Sequence, residues 1–346
     1  MEKSVSILGA ALALIFTFNA VANATPNGRK FTQTTSARAE FDHSQTFVPA
    51  SHLPSVEHSG SLSKADRRER MTAIAVTPAG ELSQSEVTAE DMEIFEKALS
   101  EISDSFGGKR RRPGPSKQSA PEAKADGDQA ESVIGSDQRV QVTYTTRYPW
   151  RTMGRIDIGC TGTLIGPRHV LTAGHCVYNI SNNRWYSNLN FTPAQNGTYK
   201  PYGTKGWSRA ITTTGWTRNH DRNYDYALIV LNTRVGNTVG WMGYGYNNSL
   251  PYYVVNINGY PGDKPIGTMW HSDCRLSIIQ TYRLYYPCDT SGGMSGSSVY
   301  AYFSSTASRI IYGIHAYGVD GTGYNGGTRI NSSVYNNLSS WVAANP

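Results

Sequence analysis

Three short segments of this 346-residue chain carry residue types that together could activate a hydroxyl as a nucleophile. Leu171-Thr172-Ala173-Gly174-His175-Cys176 follows a strand-like run and offers an imidazole on a turn of small residues. Asn223-Tyr224-Asp225-Tyr226 opens an apolar run ending at Leu231, where an unpaired carboxylate would be costly. Thr290-Ser291-Gly292-Gly293-Met294-Ser295-Gly296-Ser297 sets a serine between glycines that permit a tight turn and inward-pointing amides. A serine hydroxyl is a poor nucleophile until a base takes its proton, and the base needs a partner that fixes its tautomer. His175, Asp225 and Ser295 supply those three roles, in that chain order. Singly, each has an ordinary role as a core histidine, a turn-capping aspartate or a loop serine. Jointly, in strand context, they read as a triad. Rivals fit worse: Asp221 has no strand after it, His169 lacks the small-residue turn, and Ser297 and Ser298 lie past the glycine turn.

Short strands must position these residues. From residue 132 onward Tyr, Trp, Thr, Val, Asn and Gly dominate, and brief apolar or alternating runs recur between turn signals. Examples are 139–145, 163–172, 226–231, 252–257, 297–302 and 309–315. That is the pattern of an all-β sandwich or barrel, long enough here for two small barrels sharing a cleft. One helix is expected at the end, with Asn331 or Ser332 as N-cap and Val334, Leu338, Trp341 and Val342 on one face. All four Cys fall in this part, and four permit three pairings. The local bridges Cys160–Cys176 and Cys274–Cys288 are preferred. The first would pin the turn carrying His175, and closing a loop of this size is worth about 3 kcal/mol. Neither Cys pair is C-x2-4-C, and no H-E-x-x-H occurs.

The rest of the chain is a different material. Residues 1–24 read as a signal peptide: Lys3, an apolar stretch from Ile7 to Phe18, and Ala22-Asn23-Ala24 as cleavage site, with Ala24 the last residue removed. The apolar stretch is too short for a bilayer span, which needs about 20 residues. Export would put the cysteines where disulfides form. Residues 25–131 contain neither Trp nor Tyr, and one helix is expected at about 88–103 with a Thr88/Asp91 capping box. The run Lys109-Arg110-Arg111-Arg112 before Pro113 lacks interleaved aromatics and reads as a solvated linker, not a nucleic-acid site.

At the motifs a family resemblance emerges. Residues 132–346 resemble the bacterial glutamyl endopeptidases, a secreted branch of the trypsin-like, chymotrypsin-fold serine peptidases, whose triad also runs His, Asp, Ser. The likeness rests on Ser132-Val133-Ile134-Gly135, Thr172-Ala173-Gly174-His175-Cys176, Asn223-Tyr224-Asp225-Tyr226, Gly259-Tyr260-Pro261-Gly262-Asp263, Gly313-Ile314-His315 and Gly327-Thr328-Arg329-Ile330, among others. It implies two six-stranded β-barrels with the active site between them. It also implies an oxyanion hole from the N–H groups of Gly293 and Ser295, and a propeptide over 25–131. The family's Glu pocket implies substrate-binding roles for His315, Thr290 and the new N-terminus at Ser132. A histidine N–H and a threonine O–H can both donate to a carboxylate. The trypsin-type pairing of that terminus with an Asp before the nucleophile is closed, because the residue there is Met294.

Asp289 points the other way, standing where trypsin-type enzymes place the acid that selects Lys or Arg. The glutamate count argues against it. All 12 Glu lie at or before position 131; from Ser132 on there are none, while eight Asp remain beside seventeen Lys and Arg, a net charge of +9. A peptidase cutting after Glu benefits from a mature body free of Glu, and Glu131 immediately precedes the family-like start at Ser132. Self-processing at Glu131–Ser132 is therefore expected, with further cuts at Glu101 and Glu122. Two alternatives stand: a peptidase with basic specificity set by Asp289, or a catalytically silent binding module attracted to anionic surfaces. Otherwise the expectations are a secreted, extracellular monomer acting on protein or peptide substrates and on its own propeptide. No cofactor, metal, nucleic-acid or membrane partner is expected, and a structural calcium has no ligand motif behind it.

Overall fold

Two β-barrels lie side by side in the computed structural model, which describes residues 28–50, 53, 62–107 and 132–346. The first is built from six antiparallel strands of the peptidase part: Met153–Ile156, Thr161–Leu164, His169–Thr172, Phe191–Pro193, Trp207–Thr213 and Ala227–Leu231. Reciprocal bonds between Phe191 and Lys205 close it. Ala227–Leu231 is buried at every position, as expected of a continuous apolar run packed on both faces. The second barrel uses Val140–Val142, Val254–Gly259, Met269–Arg275, Ile278–Ile279, Arg283–Tyr286, Ser298–Phe303, Ser308–Tyr317 and Asn325–Arg329. Gly243–Tyr244 pairs along the outside of Ser308–Tyr317. The second sheet thus runs beyond six strands.

The C-terminal helix Ser332–Ala343 straps the barrels. Asn331 is its cap, accepting from Val334 N, and Val334, Leu338 and Trp341 are buried. Trp341 stacks on Tyr226 with ring centroids 5.5 Å apart. Truncating a buried aromatic of this size costs about 3–5 kcal/mol. The two disulfides are Cys160–Cys176 and Cys274–Cys288.

Residues 28–107 hold more structure than their composition suggests. The expected helix is present as Ala89–Gly107, with Thr88 and Asp91 bonded reciprocally at its start. A second helix, Lys64–Met71, and strands Thr32–Arg38, Ala73–Val76 and Glu81–Ser85 were not foreseen. The hairpin Ala73–Ser85 turns through Pro78 and Gly80, the latter at φ +82°, where a side chain is strained. Ala73–Val76 pairs with Trp207–Thr213, so this region adds three strands to the first barrel's sheet. Met71, Ala75, Val87, Met92 and Phe95 join the barrel's own core. The strand signal was weak because the residues are small; the barrel edge supplies the pairing. The signal segment, Ala24, the basic run 109–112, Glu122 and Glu131 lie outside the described residues.

Candidate active site

His175 sits on a single 3-10 turn, Gly174–Cys176, at the end of the strand His169–Thr172. Its position is set twice by one carboxylate. His175 N donates to Asp225 Oδ1 at 2.8 Å, and His175 Nδ1 meets Asp225 Oδ2 at 2.8 Å. Gly174 is needed for this approach: a Cβ there would stand 3.0 Å from Asp225 Oδ1 and 3.0 Å from the Trp216 ring. Asp225 follows the turn Arg222–Tyr224 and enters the buried strand Ala227–Leu231. Burial pushes its carboxyl up, but the facing His175 and the Tyr317 hydroxyl outweigh that and hold it below the ordinary range. Tyr317 donates to Asp225 Oδ2 at 2.5 Å, and Thr328 Oγ1 donates to Asp225 O at 2.9 Å. Arg283 lies over the Tyr317 ring at 4.3 Å. This leaves the imidazole one free ring nitrogen, Nε2, which makes no hydrogen bond among the described residues.

Ser295 lies between Gly293 at φ +102° and Gly296 at φ +85°. A Cβ on Gly296 would fall 2.2 Å from Thr161 O, so only glycine brings the serine turn this close to the first barrel. The two barrels grip that turn. Thr161 N donates to Ser295 O at 2.9 Å, Gly296 N to His315 O at 2.8 Å, and Thr161 Oγ1 to Gly293 O at 2.8 Å. Ser295 O also lies 3.6 Å from Cys176 Sγ, so the disulfide abuts the serine turn. Gly262 N donates to Gly292 O at 2.6 Å, which in a trans peptide turns the Gly293 N–H to the opposite side.

The residues expected to line a pocket sit on the second barrel. Thr290 is fully buried, and its Oγ1 has no partner among the described residues. His315 is fully buried, with Tyr286 OH 2.8 Å from its Nδ1. Burial, and then the charge of His175, push His315 down to about 3, so it is neutral at ordinary pH. A phenol donating to Nδ1 would leave the ring proton on Nε2. Ser132 is clamped: its N donates to Asn325 Oδ1 at 3.1 Å and its carbonyl accepts from Asn325 Nδ2 at 2.6 Å. Thr290 N reaches the same carbonyl at 3.3 Å. Asp289 is committed elsewhere, its two oxygens accepting from Ile134 N and Gln138 N, each at 2.8 Å.

Three of the four rival candidates have other partners, whereas the buried Ser297 hydroxyl has none among the described residues. Asp221 pairs with Arg70 at 2.6 Å, His169 Nε2 lies 2.7 Å from Asn345 O, and Ser298 Oγ accepts from Thr163 at 3.1 Å. Among the described residues the one His/Cys/acid group close enough for a metal is Cys160, His175 and Cys176, whose sulfurs are bound to each other. Sequence reasoning missed Tyr317, Tyr286 and Asn325. Two tyrosines in strands and an asparagine before Gly326-Gly327 read as ordinary strand and turn residues.

A model of the trypsin family matches residues 137–280. Over 218 residues the chain is 45% identical to the glutamyl endopeptidase of Bacillus licheniformis, covering 61% of this chain and 69% of that protein. The chain belongs to the glutamyl endopeptidases, within the trypsin-like serine peptidases. It is 41% identical over 225 residues to a Bacillus subtilis protein named extracellular metalloprotease, covering 62% of this chain and 71% of the other. A solved structure of a Glu endopeptidase in complex with MPD aligns with a TM-score of 0.56 and 30% identity. It covers 60% of this chain and 97% of its own. The two-barrel, chymotrypsin-like fold with a C-terminal helix is that of this serine endopeptidase family, whose chemistry needs no cofactor. Among the described residues no helix is long and apolar enough to cross a membrane.

Proposed function

We propose that this chain is a secreted zymogen that cleaves peptide bonds after Glu through His175, Asp225 and Ser295. Ser295 Oγ attacks the scissile carbonyl carbon while His175 Nε2 takes its proton, and Asp225 holds the resulting imidazolium. The N–H groups of Gly293 and Ser295 receive the oxyanion, each donor lowering the barrier by about 3–4 kcal/mol. As the C–N bond breaks, His175 returns the proton to the departing amine. Water then enters, gives a proton to His175 and releases the acid from the acyl-enzyme.

The observation that carries acidic specificity is the commitment of Asp289 to two main-chain amides. With that carboxylate engaged, the pocket offers donors: Thr290 Oγ1, His315 and the α-amine that a cut before Ser132 would create beside Asn325. The Glu-free composition after residue 131 supports the same substrate. Residues 1–24 act as signal and 25–131 as propeptide, removed by self-processing at Glu131–Ser132. Glu40, Glu69, Glu81, Glu86, Glu90 and Glu93 are all exposed on the docked region, open to attack by the active enzyme. The mature product is an extracellular monomer.

Cleavage sites mapped by mass spectrometry in a denatured standard protein test this. Cuts after Glu that disappear with Ser295→Ala are expected. Cuts after Lys or Arg would return Asp289 to the pocket, and Glu131→Gln processed at the normal position would assign maturation to another protease.

A further inference from the structure

One stretch of the docked N-terminal region crosses the reaction centre. Phe41–Asp42 pairs in parallel with Trp185–Tyr186, and the Asp42 carboxylate accepts from Asn179 at 3.0 Å and Asn182 at 2.9 Å. Five residues on, Phe47 N donates to Ile158 O at 3.0 Å, and Val48 N donates to Tyr186 OH at 3.0 Å. The Phe47 ring centroid lies 6.0 Å from that of His175. A Cβ on Gly159 would stand 3.4 Å from the Phe47 ring, so the glycine leaves room beside it. Beyond it Ala50 and Leu53 are buried. With this stretch in place His175 is 0% exposed and Ser295 1%.

We propose that Ile158, Gly159 and His175 form a subsite for an aromatic side chain on an extended peptide, and that Phe47 occupies it in the uncut chain as an inhibitor. The placement argues for the departing half of the substrate. Phe47 N bonds to Ile158 and its ring lies by His175, both first-barrel residues, whereas Thr290, His315 and Ser132 sit against the second barrel. An acyl half anchored in the second barrel leaves its amine half over His175, the group that must protonate it. A main-chain N–H given to Ile158 O repeats the bond an added strand makes, and the ring on the imidazole face adds side-chain preference. Phe47 lies there without presenting a Glu bond for cutting: Glu40 is seven residues before it and Glu57 ten after. This inference rests on the proposed triad.

The test uses two forms of the protein. In the Glu131→Gln chain, shown uncut by intact mass, labelling of Ser295 by a fluorophosphonate is timed. Phe47→Ala should label at least tenfold faster, and Phe47→Trp should stay near the parent rate. In the processed enzyme, a synthetic peptide spanning Asp42–Ala50 should inhibit hydrolysis competitively, with at least tenfold weaker inhibition after Phe47→Ala. Equal labelling of all three chains, or equal inhibition by both peptides, overturns the subsite. Processed wild-type enzyme that fails to label at Ser295 would instead sink the triad on which it rests.

Discussion

The N-terminal region and the peptidase part share one sheet but are held by different means. The peptidase part is closed on itself: two barrels, two disulfides and a helix whose Trp341 is fully buried. Residues 28–107 are an addition to one edge, with no disulfide to the barrels. They are attached through the strand Ala73–Val76, the pairing of Phe41–Asp42 with Trp185–Tyr186, buried apolar residues such as Phe95, and ion pairs such as Arg70–Asp221. Trp207–Thr213 shows both attachments at once, pairing with Ala227–Leu231 inside the barrel and with Ala73–Val76 outside it. The peptidase part has no Glu, whereas the added region carries several on its surface. Under the proposed self-processing, a region joined by reversible contacts and carrying exposed Glu suits removal; one closed by covalent links and free of Glu suits survival.

Three experiments would sharpen or break that contrast. The largest effect on activity belongs to the pocket alone. Thr290→Val removes a hydroxyl assigned to the substrate carboxylate, and such charged hydrogen bonds are worth about 1.5–3 kcal/mol. Expected is a fall of roughly 10- to 150-fold in kcat/KM for a Glu substrate, with little change for its Gln analogue. An equal fall for both substrates would make Thr290 structural.

The next effect belongs to the junction alone. Asp221 is fully buried where the added region covers it, and Arg70 is its ion partner. Breaking a buried pair by removing one partner costs about 3–5 kcal/mol, less where a partner is partly solvated, as Arg70 is. Arg70→Met should lower the melting temperature of the uncut chain by several degrees. The processed enzyme, lacking residue 70, should be indistinguishable from wild type. An unchanged uncut chain would remove this pair from the account of docking.

A further effect is one of pH and belongs to the peptidase part whether cut or uncut. His315 is pushed down to about 3 by burial, whereas an unfolded histidine titrates near 6.5. Between those values the unfolded chain binds more protons, so stability is complete above about pH 6.5 and falls as pH drops toward 3. Urea midpoints measured from pH 7 to pH 4 should fall less steeply for His315→Gln. Identical slopes would show that other groups carry the acid response.

The His175–Asp225 pair and the glycine turn carrying Ser295, the basis of the proposed triad, were legible because each member sits in a distinctive local setting: a small-residue turn, an acid at the mouth of an apolar strand, a serine between glycines. Both disulfides were legible because the pairs are local and flank those turns. The Thr88/Asp91 cap and the Asn331 cap follow from short-range hydrogen bonding, which sequence spacing reports directly. The strands of residues 32–85 were not legible. They are short or polar, without a run that alternates large apolar with polar residues, and they become strands because a barrel edge offers unpaired main-chain groups. Tyr317, Tyr286 and Asn325 were hidden for a related reason: each acts on a residue brought near by pairing between strands, across 92 positions in the case of Tyr317 and Asp225.

What the sequence determined alone was the chemistry and its division: which residues could form a nucleophile, base and partner, and where the glutamates stop. Those are properties of residue type and short spacing. Only the tertiary structure decided how Asp289 is used, how His315 is held neutral, and that Phe47 lies on His175. Each depends on which groups burial and strand pairing set face to face, and on hydrogen bonds that a carboxylate or an imidazole makes once water is excluded.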